Sequence, residues 1–203
     1  DGLILVSLPV SDRHAERLQS FNIPTVTIEY SHPSLNCVVI DDYEGGRLAA
    51  EHLIAKGHRR IAFMARHDVP EYTVQSATQR MTAFRDTLAK AGLELPEEYV
   101  KLVPDEQDSI HQATEALMKL ASPPTAIFGG LEVYALGALK AARRLVIQVP
   151  EQLAVIGFDE NGQMYMDQGV ESGSMDSYEV EGIEGWGSCP SSIGNMLMSQ
   201  AED

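Results

Sequence analysis

The stretch "DYEGGRLAAEHLIAKGHRRIAFMA", residues 42–65, holds a helix, its stop signal and a strand in direct succession. Asp42 can cap a helix whose Ala49, Ala50, Leu53 and Ile54 share one face. Gly57 supplies the left-handed residue that ends such a helix, and His58 follows where a cation suits the helix dipole. Ile61–Ala65 is then a continuous apolar run rather than an alternating one. That pattern belongs to a strand covered on both faces, as in a parallel sheet wound with helices.

The same grammar extends in both directions. Further strands are expected at Leu3–Leu8, Thr25–Tyr30, Cys37–Ile40, Tyr99–Val103, Ala126–Gly129 and Leu153–Phe158. Ser11 can cap a helix burying Ala15, Leu18 and Phe21. Ala77, Met81, Phe84, Leu88 and Ala91 follow helical spacing up to Gly92, with Arg80 one residue ahead of Met81. "SIHQ" offers a capping box from Ser109 and Gln112, ahead of Ala113, Leu117 and Leu120. A fifth helix covers about Glu132 to Leu145. Strands and helices alternating across short loops imply a doubly wound α/β architecture with parallel sheets. Only between 25–30 and 37–40 is the intervening helix missing, so two sheets are expected to meet near Asp41.

Past residue 160 the pattern breaks. Residues 161–203 hold eight acids, seven Gly and five Met, with no Lys, Arg or His and no helical or strand periodicity. We read them as sequence foreign to the fold in preference to a disordered acidic tail. The chain's net charge is −15, with no concentrated Lys/Arg surface, which argues against nucleic-acid binding by these residues alone. Two cysteines in 203 residues form no disulfide framework and fit a reducing compartment. No apolar run is long enough to span a bilayer, and no secretory signal is visible.

Catalytic signatures are missing. No nucleophile-elbow, phosphate-loop or dinucleotide-loop motif occurs, and no His/Cys cluster has metal spacing. The expectation is a protein that binds without catalysing, with no cofactor and no metal. Ligands of open α/β sheets sit beyond the carboxyl ends of the strands. Asp159 ends the "AVIGFD" strand, where it can accept from a ligand's hydroxyls or equally cap a turn. Arg80, near the start of its helix, can clamp ligand oxygens with its planar fork or stand as an exposed ion-pairing residue.

Taken in order, "DGLIL" (1–5), "IPTVTIE" (23–29), "VVIDDYEGGRLAAEHLIAKGHRRIAFMA" (38–65), "QRMTAFRDTLAKAGL" (79–93), "PPTAIF" (123–128), "ALGALKAARR" (135–144) and "VPEQLAVIGFDE" (149–160) resemble the effector-binding domain of LacI/GalR-type bacterial transcriptional regulators. The resemblance implies a periplasmic-binding-protein-like fold of type I, in which two α/β subdomains enclose an effector cleft. Residues 1–41 would form an incomplete N-terminal subdomain, 42–160 the C-terminal one, and 161–203 an acidic Gly/Met-rich segment outside the family pattern. By position, Arg80 and Asp159 match effector-contacting residues of the family, and Ser76 and Asp105 fall where the pocket is often lined. Leu131-Glu132 replaces the usual Asn-Asp pair, which makes Glu132 the remaining polar contact there, and Ala83 replaces a usual glycine.

The resemblance further implies a cytoplasmic, homodimeric regulator without membrane contact. Its small-molecule effector would be a sugar, sugar derivative or nucleoside-like compound. Operator DNA would be read through a headpiece lying upstream of Asp1. A solute-binding protein serving a sugar transporter is the alternative, and an α/β enzyme a more distant one.

Overall fold

The computed structural model describes residues 1–66, 76–158, 164–166 and 181–182. The described chain divides into two compact units, the first holding 1–41 with Ser76, the second 42–66 with 77–158 and the two short strands that follow.

In the first unit, β1 (Leu3–Val6), β2 (Thr25–Ile28) and β3 (Asn36–Val38) form a parallel sheet in that order. The α1 helix (Asp12–Ser20) connects β1 to β2, and the Ser11 side chain accepts from the His14 N–H as its cap. Its apolar face is narrower than the spacing implies: Ala15 is buried, but Leu18 is only half-buried and Phe21 is exposed. The strand β1 also departs from expectation, since Ile4 and Val6 point to solvent while Leu3 and Leu5 are half-buried. Among the described residues this unit holds one whole helix and three strands, too few to cover both faces of the sheet.

The second unit has a six-stranded sheet in the order β5 (Val100–Leu102), β4 (Ile61–Ala65), β6 (Ala126–Gly129), β7 (Ala154–Phe158), β8 (Met164–Met166), β9 (Glu181–Gly182). The four strands β5, β4, β6 and β7 are parallel, and β8 and β9 add on antiparallel. The sequence gives no sign of β8, because three residues are too few to show a period. Its pairing with β7 is a tertiary fact.

Helices cover both faces. Register pairs Phe63 with Phe128, and Phe84 of α3 (Ser76–Lys90) packs onto both, with ring centroids 5.1 to 6.0 Å apart. Each such buried ring contributes on the order of 1.5–3 kcal/mol. On the opposite face Gly129 and Gly157 lie side by side in register, and Ala135 of α5 (Glu132–Arg144) presses onto both. The α4 helix (Gln107–Met118) packs on α5 through Ile110 against Gly137. It starts at Gln107, two residues ahead of the expected Ser109–Gln112 box, and Glu106 precedes it without a side-chain cap bond. Its buried face is Ile110, Ala113, Thr114 and Leu117.

The α2 helix (Asp42–Ala55) buries Gly45, Gly46, Ala49, Ala50 and Leu53, while Ile54 is half-buried. Gly57 takes φ +93°, as its role of helix stop requires. Gly46 is glycine for another reason. A Cβ there would collide with the Arg80 backbone carbonyl, which cannot swing aside as a side chain can. Gly46→Ala is therefore expected to cost roughly 1–3 kcal/mol, read as a lower urea midpoint, from overpacking two helices held together elsewhere.

Candidate functional site

Arg80 lies on the buried stripe of α3. The helix buries Ala77, Arg80, Ala83, Phe84, Thr87 and Leu88, whereas Met81 is half-buried and Ala91 exposed. The stripe is thus rotated from the purely apolar one expected, and it carries a charge inward. At 3% exposure Arg80 needs a complete set of partners. Its Nε donates to Asp42 Oδ1 at 2.8 Å, and its Nη2 lies 2.6 Å from the same oxygen. Nη1 donates to the Gly130 carbonyl at 2.6 Å. The guanidinium carbon sits 3.8 Å from the centre of the Phe158 ring, a cation–π contact.

The contacts join four elements at one place. Asp42 opens α2, where a carboxylate also suits the positive end of the helix. Gly130 follows β6 directly, and Phe158 is the last residue of β7. Gly45 of α2 leaves room for the Phe158 ring, since a Cβ there would overlap it. The position is the carboxyl edge of the parallel sheet, where ligands of open α/β sheets converge.

Other expected residues distribute around that edge. Glu132 is half-buried at the first position of α5, two residues past Gly130, and its Cα lies near the face of Gly157. Asp105 is exposed after β5 and stands 3.6 Å from Arg66, which follows β4. The structure therefore assembles Arg80, Glu132 and Asp105 with strand ends of one sheet. Ser76 is half-buried at the first residue of α3, one turn ahead of Arg80. Asp159 lies outside the described residues. Sequence reasoning missed Asp42, which it assigned to capping alone, and it missed Phe158 and Arg66. Only the contacts across the fold reveal them.

Among the described residues no group of three or more His, Cys, Asp or Glu side chains is placed to hold a metal ion. Away from the edge, His58 Nδ1 lies 3.0 Å from Thr125 Oγ1, and His52 Nε2 is buried. Burial holds both rings below the usual histidine range, and at His52 the Lys56 and His58 charges add to it.

The family model described as a periplasmic binding protein-like domain matches residues 50–168. An HTH-type transcriptional repressor PurR from Mannheimia succiniciproducens is 29% identical over 162 residues, covering 78% of this chain and 47% of its own length. A LacI-family regulatory protein from Chloroflexus aggregans matches in structure with a TM-score of 0.70 at 30% identity, over 79% of this chain and 57% of that one. A complex of the transcriptional regulator CelR with cellobiose matches with a TM-score of 0.64 at 32% identity, over 78% of this chain and 48% of that one. The chain belongs to the periplasmic binding protein-like domain family, and its likeness within that family is to the effector-binding domains of LacI-type regulators. It spans about half the length of the curated relatives it matches.

Two outcomes follow from this geometry. Asp42→Ala leaves a buried guanidinium without its counter-ion and is expected to cost about 3–5 kcal/mol. Adding Arg80→Met should recover part of that loss, which a double-mutant cycle by chemical denaturation measures directly. The histidines give the second. Their folded-state values lie below the unfolded one, so their contribution is present above the unfolded value of about 6.5 and is lost as pH falls from there through the lower folded-state values. The urea midpoint should fall between ~pH 7.5 and ~pH 5, and fall less in His52→Gln.

Proposed function

We propose that this chain is the effector-sensing part of a DNA-binding transcriptional regulator, and that it binds a small polar ligand at the carboxyl edge of the second unit's sheet. The observation that carries the reading is Arg80, a buried guanidinium fixed by Asp42, Gly130 and Phe158 at that edge. A donor group held this firmly loses little conformational freedom when a ligand arrives. Arg80, Asp159, Ser76, Asp105 and Glu132 are the proposed contacts. The CelR neighbour's cellobiose supports a sugar-like effector, and the PurR relatives support regulation through DNA.

The ligand acts by binding one conformation of the sensor better than another, which shifts the population and with it the affinity for operator DNA. The regulator would read DNA through a separate headpiece, work as a homodimer in the cytoplasm and catalyse nothing. The names of the matched relatives favour this reading over a transporter's solute-binding protein.

Calorimetry with a panel of neutral sugars, cellobiose included, and nucleosides on the full-length protein tests the proposal. A genuine effector should bind at least about tenfold more weakly to folded Arg80→Met and Asp159→Ala variants, a loss of ~1.4 kcal/mol or more. Unchanged affinity in both would sink the site assignment.

A further inference from the structure

We propose that Asp42 is a specificity-determining residue: by occupying the forked edge of Arg80 it excludes anionic ligands, so the site takes an uncharged effector and rejects phosphorylated or carboxylated ones. The inference deepens the ligand-binding reading above and rests on it.

An arginine recognises carboxylate or phosphate best through parallel N–H donors on one edge of its planar fork. Here the Nε and Nη2 of Arg80 converge on Asp42 Oδ1, at 2.8 and 2.6 Å. Nη1 is directed to the Gly130 carbonyl at 2.6 Å, and one face of the guanidinium is stacked on Phe158. The edge that would grip an anion already grips one. Nor can Asp42 withdraw easily. Its side chain is only 12% exposed, it opens α2, and Gly46 lets that helix sit directly against the Arg80 backbone.

The surrounding charge points the same way. Among the described residues at this edge, Arg66 faces Asp105, Arg80 faces Asp42, and Glu132 adds a further carboxylate. Both of these arginines have a carboxylate beside them, so among the described residues an incoming anion is met by like charge. A neutral polyhydroxy compound meets no such barrier, because its hydroxyls donate to carboxylates.

Inorganic phosphate is the probe, titrated calorimetrically and by thermal shift into the full-chain protein at constant ionic strength. Wild type should show no saturable binding. Asp42→Asn, which keeps the side-chain shape and removes the charge, should bind phosphate saturably, at least ~10-fold more tightly than the weakest binding the titration detects. That gain should vanish in Asp42→Asn with Arg80→Met. An Asp42→Asn protein that folds and gains nothing overturns the proposal, and Asp42→Ser stands in should the Asn variant not fold. Wild-type protein stabilised by phosphate, with the effect lost in Arg80→Lys, overturns it without any Asp42 variant. These readouts use phosphate alone, so they stay separate from the sugar and nucleoside titrations. Unchanged sugar or nucleoside affinity in the Arg80 and Asp159 variants sinks the binding site itself, whereas failure here leaves that site standing without its charge filter.

Discussion

A guanidinium stripped of water must recover its lost hydration from fixed partners, and much of the second unit is arranged around that demand at Arg80. Asp42 supplies the counter-charge, the Gly130 carbonyl takes a further donor, and Phe158 covers the delocalised face. The partners come from α2, the end of β6 and the end of β7, so those elements cannot shift independently without leaving a buried charge unsatisfied. The glycines of α2 belong to the same constraint. Gly46 admits the α3 backbone and Gly45 admits the Phe158 ring, and a methyl group at either position would push the helix off the arginine it holds.

Around this centre the core is conventional in its physics. Phe63, Phe84 and Phe128 lock α3 to one face of the sheet, and the paired Gly129 and Gly157 let α5 close onto the other. Tyr134 is fully buried, and its hydroxyl finds the Val103 carbonyl at 2.7 Å, which ties the start of α5 to the end of β5. Val103 after β5, Gly130 after β6 and Phe158 at the end of β7 each have a partner in α5 or α3.

Much of this was legible in the sequence. Continuous apolar runs at Ile61–Ala65 and Ala126–Gly129 became strands with those bounds, because a strand covered on both faces has no reason to alternate. Ser11 capped α1, and Gly57 and Gly92 took the positive φ values that helix stops require. Other features escaped. The α4 helix starts at Gln107, ahead of the Ser109–Gln112 box, because a box read from four residues does not fix where a helix begins. Phe21 and Ile4 followed apolar spacing yet face solvent, because periodicity states which residues share a face and not whether anything covers it.

The sequence by itself determined the order and type of the elements from β1 to β7, and through several motifs the family to which the chain belongs. Those are properties of neighbouring residues, set by spacing, caps and breakers within a few positions. Arg80 shows where that reach ends. On apolar spacing it lies off the stripe of α3, since a charged residue scores as outward. Only the tertiary structure decided that it faces inward, by bringing Asp42 from 38 residues upstream and Gly130 from 50 residues downstream to satisfy it. A charge can be buried when its partners are already in place, and the placing of distant partners is what the fold adds to the sequence.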